Sequence, residues 1–535
     1  QSISYIKLDG NNGIGYNGIF IRQRSNVVIH HCTIVNFNHN GVLFLGGTDF
    51  FEQPSVYPSG NQLYNSFIKD CENLILLMGQ QGALIHDNIL DNRTDVSRIT
   101  RIVDAGTSFN KGTKFYNNKC YKPDNAGPYW NFMIEHWNCE GGFEIYGNEF
   151  YGSDCVLDVG GYYNVKGAYE YSWSIHDNLF TTLSGTNVPL TDHGATSITL
   201  EGANVEYVQI YNNRFEKLLK PIGSSEGGGG AATLNHIYIH NNLLVNCGTG
   251  ISGCHAYPVL AMNQYMAGST MSDIYISNNV ITSDGITHLG GIGVETAQGS
   301  NINLKNNILV GFQNWGAIWL TNNGTLNNIH VDYNDFYNNI AAIDIGGNAM
   351  TNYTTINNKT SNPSFVSATD FHLSTGSSCI DAGIDVGLTL DYEGNPIPYN
   401  FLPDIGAYEY TSGSSNQAPQ IQNQNFQLNE NSSNGTNVGT VIATDPDAGQ
   451  TLTFSLLSGN TNGAFTINAS SGVLSVASAA ALNFEVTPTF ALVVKVQDNG
   501  TGNLSSQATT TVSLLNVNEV PVITNQAFSV TENSA

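Results

Sequence analysis

Three carboxylates, Glu135, Asp158 and Glu201, stand at corresponding points of successive repeats in this 535-residue chain. Each lies in a short apolar alternation, at 132–135, 156–159 and 198–201. A period of two sends every second side chain to the same face of a sheet, so all three acids are expected on one surface. Read as adjacent coils offset by two residues, Glu135 and Asp158 are expected roughly 8 Å apart, a spacing of ~4.8 Å combined with a rise of ~6.6 Å. Asp158 to Glu201 is similar, and Glu135 to Glu201 is about two coil steps. Carboxylates ~6.5–9.5 Å apart suit hydrolysis of a glycosidic bond with inversion, one group protonating the leaving oxygen while the other activates water; ~5–5.5 Å suits retention. Crowded like charges raise at least one pKa and keep an acid protonated for that work. The alternative is a set of ordinary solvated carboxylates.

Other residues near these acids could hold a substrate. Insertions at 121–130 and 183–195 flank the coil of Asp158 as walls, and a third at 162–171 follows it. Long loops on a rigid scaffold are where binding residues gather, and aromatic side chains suit the apolar faces of sugars. The candidates are Tyr129, Trp130, His136, Trp137, Tyr162, Tyr163, Lys166, His193, Arg214 and Trp319. Lys166 and Arg214 are the basic groups expected nearby, and a lyase needs such groups to abstract a proton or neutralise a uronate. No His/Cys/Asp spacing suits zinc.

The elements that carry these residues form a repeat. An apolar pair followed by polar residues ending in Asn recurs at Asn88, Asn118, Asn148, Asn178, Asn213, Asn242, Asn279, Asn307 and Asn334, with Cys32 and Ser66 in the same column earlier. Coils at strand spacing would let these amides bond as a ladder, and Asn tolerates the left-handed backbone of a sharp corner. Each coil is expected to carry a second strand after its Asn. Its inward residues are read as Leu43/Leu45, Ile198/Leu200, Ile318/Leu320 and Ile343/Ile345. Its outward column is read as Phe44, Leu76, Met133, Asp158, Thr199, Gly293, Trp319 and Asp344, with Met78, Glu135, Glu201 and Glu295 two positions further along.

This arrangement is a right-handed parallel β-helix, an all-β solenoid, expected over residues 1–350. The coils resemble the secreted pectate-lyase-like superfamily, which implies polysaccharide lyases, hydrolases or epimerases. Residues 351–410, including Ser378-Cys379-Ile380-Asp381-Ala382-Gly383 and Asp404-Ile405-Gly406-Ala407-Tyr408-Glu409-Tyr410, resemble the terminal segment of choice-of-anchor Q type proteins. A cap over the open end of the solenoid is the role expected of it, because a bare coil is a raw sheet edge.

Residues 411–418 read as a linker, and short alternating strands from Pro419 indicate an antiparallel Ig-like sandwich over 419–521. This segment resembles a cadherin repeat through Asn429-Glu430-Asn431, Asp445-Pro446-Asp447, Leu482-Asn483-Phe484-Glu485, Asp498-Asn499-Gly500 and Asn518-Glu519-Val520-Pro521. The resemblance implies Ca²⁺ ligands at Glu430, Asp445, Asp447, Glu485 and Asp498, with Glu430, Glu485 and Asp498 at the C-terminal junction. Asn483 and Phe484 depart from the usual Asp and Arg. Residues 522–535 start a second repeat, with Phe528 and Glu532 in step with Phe426 and Glu430, so further repeats are expected beyond it.

Composition narrows the partners. With 18 basic against 43 acidic residues the net charge is −25, which disfavours nucleic acid and anionic membranes. No apolar run is long enough to span a bilayer. Of the eight Cys, Cys247 and Cys254 are placed to bridge, and the others read as buried core residues. The expectation is a monomeric bacterial protein, secreted or on the cell surface, with no organic cofactor and a polysaccharide partner. Glycoside hydrolase is the leading reading; a lyase and a non-catalytic adhesin are the competitors.

Overall fold

Each coil is built from three strands, not two. The strands Phe143–Tyr146, Glu149–Tyr151 and Leu157–Gly160 make up one such coil, and their counterparts stack into three parallel sheets of 13, 12 and 12 strands. The computed structural model describes the chain except residues 12–14, 50–51, 94–100, 105–108, 125–132, 137–138, 153–155, 161–164, 186–195, 226–230, 248–259, 265–267, 284–289, 314–315, 322–324, 346–349, 400, 412–415, 417, 448–449, 501–502, 522–524, 528 and 530–535. It divides into two compact units, Gln1–Tyr410 and Thr411–Ala535.

The Asn column is a continuous hydrogen-bonded ladder between the first and second sheets. Asn148 Oδ1 accepts from Asn118 N (2.9 Å), and its Nδ2 donates to Phe115 O, Tyr146 O and Asn178 Oδ1 at 2.9–3.0 Å. The pattern runs from Asn88 to Asn334 and ends on Asn358. Upstream, Cys32 N donates to Ser66 Oγ and Ser66 N to Asn88 Oδ1, so the two substitutes hold the column with fewer bonds. The left-handed corner falls one residue earlier than expected. Asp87, Asn117, Gly147, Asp177, Asn212, Asn241, Asn278, Asn306 and Tyr333 take φ between 52° and 64°, so the turn and the ladder are served by separate residues. The short second-sheet strands, such as Ile89–Asp91, then leave the corner with one apolar residue pointing in.

The inward faces of all three sheets meet in one core that includes Val42, Phe44, Ile75, Leu77, Met133, Ile134, Leu157, Val159, Ile198 and Leu200. Phe44 and Met133 therefore point inward, contrary to their expected outward placement. Leu43 and Leu45 instead join Leu76 and Met78 in a separate buried cluster on the outer face of the third sheet. Ile345 is 39% exposed and does not fill the core, because the last third-sheet strand ends at Asp344.

The outer face of the first sheet carries a column of stacked rings: His30, Tyr64, His86, Tyr116, Tyr146, His176, Tyr211 and His240. Neighbouring centroids lie 4.6–5.1 Å apart with planes within 12° of parallel. Strand spacing imposes this geometry, and the rings cover one another's faces. They consequently stiffen the stack and do not offer open faces to a sugar.

Residues 362–410 do not lie across the end of the solenoid. They fold back along the second sheet, where Phe371, Leu373, Cys379, Ile405, Ala407 and Tyr408 pack on Leu243, Val245, Val280 and Ile308. Asn241 Nδ2 donates to Leu390 O and Asn306 Nδ2 to Ile384 O. The cause is a broad apolar outer face on Leu243, Val280 and Ile308, which would otherwise meet water. Buried acids tie the segment internally. Asp404 accepts from Asp381 N and Tyr410 N, Glu409 from Tyr399 N and Asp404 N, and Asp391 from Glu393 N, Asn395 N and Glu409 N.

In the second unit, Gln424–Asn429 pairs parallel with Ser505–Leu515, which continues antiparallel to Thr489–Gln497 and then Thr453–Ser458. Asn437–Thr440, Val473–Val476 and Phe465–Ile467 form the facing sheet, enclosing Phe465, Leu474, Phe490, Leu492 and Val512. The six described Cys are buried and free; Cys155 and Cys254 lie outside the described residues. No helix among the described residues is long and apolar enough to cross a membrane.

Candidate functional site

On the third sheet one register column of the backbone reads Leu43, Leu76, Asp104, Glu135, Asp158, Thr199, Gly223, coil by coil. Glu135 and Asp158 are direct register partners, not offset by two residues, so their backbones are one strand spacing apart, about 4.8 Å. Asp104 occupies the preceding position, giving three acids in consecutive coils. Glu201 pairs with Gly160, one coil on and two residues along from Asp158, about 8 Å away. Its distance to Glu135 grows to two coils plus that offset.

Two successive core residues explain why Asp104 is hard to place by alternation. Ile102 N and Val103 N both donate to Met133 O at 2.8 Å, and both side chains are buried in the core. Two consecutive inward residues break the period of two just before Asp104, as Leu74 and Ile75 do one coil earlier. At the start of this strand Arg101 pairs through Nε with Glu135 Oε2. Glu135 is 6% and Asp158 2% exposed, so this cation meets a nearly dry carboxylate and favours its charged form.

A second cation reaches the column. Lys220 is 8% exposed, and its Cδ, Cε and Nζ lie 2.8–3.1 Å from the point a Cβ on Gly223 would occupy. Glycine at 223 is what lets the lysine chain lie across the sheet, beside Thr199 and two coils from Asp158. Arg101 and Lys220 are the basic groups here. Lys166 instead lies over the Tyr207 ring at 4.5 Å, and Arg214, on the second sheet, pairs with Glu216 at 2.6 Å. The expectation that these two stand near the acids is not met: Arg214 lies on the second sheet and Lys166 lies against Tyr207 of the first.

Trp319 shares the column but lies five strand steps from Asp158, about 24 Å, and cannot touch the same sugar. The His136 backbone pairs with Val159. Tyr129, Trp130, Trp137, Tyr162, Tyr163 and His193 lie outside the described residues.

In the second unit the five expected metal ligands separate into two groups. Glu430, Glu485 and Glu519 bring carboxylate oxygens within 4.8 Å of one another. Glu430 is 2% exposed and accepts from Phe484 N and Val517 N at 2.8 Å, backbone donors that hold its carboxyl below the usual range. Asn516 donates to Glu485 and Asn431 to Glu519. Asp498 is not in this group: it accepts from Asn416 Nδ2 and Gly500 N at 3.2 Å, and Gln450 Nε2 donates to Asn416 Oδ1. Asp445 accepts from Asp447 N in the turn leading to Gln450. Strand direction sets this division, because Asp498 closes the strand Thr489–Gln497 at the opposite end from Glu485.

The sandwich and its acidic motifs find their counterpart in known proteins: residues 424–515 match the Cadherin domain family. Residues 424–515 are a cadherin domain. Human Protocadherin Fat 4 is 35% identical over 107 residues, 19% of this chain and 2% of that protein. Human Protocadherin-23 is 39% identical over 114 residues, 20% of this chain and 3% of that one. The chain thus spans a few per cent of these relatives' length. Among solved structures, the human Desmocollin-1 ectodomain shares 29% identity with a TM-score of 0.18, covering 24% of each chain. Mouse Cadherin-23 EC22-24 shares 29% with a TM-score of 0.17, covering 19% of this chain and 31% of that one.

Proposed function

We propose that this chain is an extracellular binding protein of adhesin type, in which a calcium-ordered cadherin domain accompanies a β-helix that holds a glycan on its third sheet. The observation that carries this is the convergence of Glu430 and Glu485 of the cadherin domain with Glu519 just after it. Three carboxylates this close repel unless a cation lies among them, and an all-oxygen donor set suits Ca²⁺. Bound there, Ca²⁺ would neutralise the acids and brace the strand ends that carry them. Glu430 is the fixed member, oriented by two backbone N–H groups; Glu485 and Glu519 are exposed and steered by Asn516 and Asn431. The protocadherin relatives support a secreted or cell-surface location.

Calcium titration of the full chain tests this. Saturating Ca²⁺ is expected to raise the Tm of the cadherin transition, with a stabilisation of about 3 kcal/mol at 100 times Kd. Glu430→Gln should remove most of that rise while leaving the solenoid transition unchanged. An unchanged Tm in millimolar Ca²⁺ would reject the calcium-ordered reading.

One observation favours a second reading, a glycoside hydrolase: Glu135 and Asp158 are buried direct register partners. Backbones one strand spacing apart, about 4.8 Å, favour the shorter carboxyl separation of a retaining enzyme over the inversion expected from an offset pair. Arg101 holds Glu135 charged, as a nucleophile must be, leaving Asp158 as the proton donor and Glu201 too distant for that pair. Glu135→Gln and Asp158→Asn should each lower turnover by at least about 1,000-fold on any polymer that is cleaved, scored by new reducing ends. Unsaturated products would move the assignment to a lyase, with Lys220 as the basic group. No product from any polymer would leave the adhesin reading alone.

A further inference from the structure

Asp445, Asp447 and Asp498 are calcium ligands by resemblance, yet their end of the cadherin domain is built differently from the Glu430 end. Among the described residues, only Glu430, Glu485 and Glu519 bring three acidic oxygens within 4.8 Å of one another. At the other end an amide stands against the most deeply buried acid. Asp498 is 3% exposed, and Asn416 Nδ2 lies 3.2 Å from both of its oxygens. A carboxylate only accepts hydrogen bonds, so this contact fixes which way round the amide sits. Its nitrogen faces Asp498, and its Oδ1 turns away to accept from Gln450 Nε2 at 2.8 Å. Gly500 makes the room: a Cβ there would collide with Asn416 Oδ1 and with the Gln450 amide. Gly500 N also donates to Asp498 Oδ1, and Thr451 N donates to Asn499 Oδ1 at 2.7 Å, drawing the two turns together.

An amide N–H and a bound cation each satisfy a carboxylate, and the two cannot hold the same side of it. We infer that Asn416 closes this end of the cadherin domain without calcium, its amide clasping the incoming chain to Asp498, so that calcium orders only the Glu430 end. Acceptor oxygens are already in surplus here, since Asp445 Oδ2 and Gln450 Oε1 are buried and find no donor among the described residues. One atom therefore decides the matter. An oxygen in place of the Asn416 amide nitrogen would set two carboxylates face to face, and that arrangement calls for a cation. The inference rests on the calcium reading above and restricts it to one of the two ends.

Hydrogen exchange of the full chain in calcium and in chelator tests it, together with isothermal titration by calcium chloride. Chelator should speed exchange in peptides carrying Phe484 and Val517, the backbone donors to Glu430, and leave those carrying Thr451 and Gly500 unchanged. Asn416→Ala should speed exchange at Thr451 and Gly500 equally in both buffers, because it removes the clasp itself. Asn416→Asp should make exchange there calcium-dependent and add a binding step to the titration. Three results would each overturn the clasp while leaving calcium at Glu430 in place: protection at Thr451 and Gly500 that falls in chelator in the unaltered chain, no effect of Asn416→Ala there, or no added step in Asn416→Asp. No response to calcium at either end of the unaltered chain would overturn the calcium reading alone, with the two Asn416 variants still deciding the clasp.

Discussion

Replacing Asn178 with Ala should destabilise the solenoid by about 3–5 kcal/mol, among the largest effects of any single side chain here. The residue is 2% exposed. Its Oδ1 accepts from Asn148 N and Nδ2, and its Nδ2 donates to Ile145 O, His176 O and Asn213 Oδ1. Alanine strands these groups where water does not reach, and each buried unsatisfied group costs ~1–3 kcal/mol. The neighbouring corner provides the control. Asn212 takes φ 53° but is not a rung of the ladder, so Asn212→Ala should cost only about 1–2 kcal/mol through left-handed backbone strain. Urea unfolding of both variants measures the difference. Equal losses would mean that the ladder contributes no more than the turn.

The segment 362–410 should hold most tightly in mild acid and loosen as the pH rises. Burial pushes Asp404 up to about 7 and Asp335 up to about 6. An acid whose pKa rises on folding gives stability that is complete below its ordinary value near 4 and is lost as the pH climbs through the raised one. For Asp404 alone the loss between pH 4 and 8 is on the order of 3–4 kcal/mol. His372 acts in the same sense. Burial opposes its charge, but Glu393 and Asp370 outweigh that and lift it to about 9, so its contribution fades above neutrality. Hydrogen exchange of peptides from 379–410, corrected for intrinsic rate, should show protection falling from pH 5 to pH 8. Asp335→Asn should flatten the part near pH 6, since it removes the titrating group beside Cys379. Protection that increases with pH would reverse the sign and reject the argument.

Much of the solenoid is legible in the amino-acid order alone, because a ladder residue must recur at every coil and Asn does so nine times. What alternation handles poorly is the third sheet. There successive residues, Ile102 and Val103 or Met133 and Ile134, both enter the core, so a period of two misplaces Asp104 and offsets Glu135 from Asp158. Leu43 and Phe44 are both apolar, so a period of two cannot say which faces the core; an outer cluster with Leu76 and Met78 decides it. Arg101 and Lys220 have no motif at all and reach the column through side-chain length and a glycine. In the cadherin domain Glu519 stands in a recognisable phrase, yet its partnership with Glu430 and Glu485 depends on where the chain leaves the last strand. Of the segment 351–410 expected as a cap, Asn358 and Lys359 stack on the last coil, while residues from 362 on fold back for a related reason: the apolar outer face of Leu243, Val280 and Ile308 belongs to a second sheet that a two-strand coil does not contain.

The Asn ladder also sets the order in which the solenoid comes apart. Each coil stacks on its neighbours, so unfolding proceeds coil by coil from the more weakly bonded ones. The first coils hold the column with Cys32 and Ser66, while those from Asn88 onward carry the full set of amide bonds and, from Leu243, the added cover of the folded-back segment. Under heat or tension the coils at Cys32 and Ser66 should therefore open before those from Asn88 onward, in steps of about thirty residues.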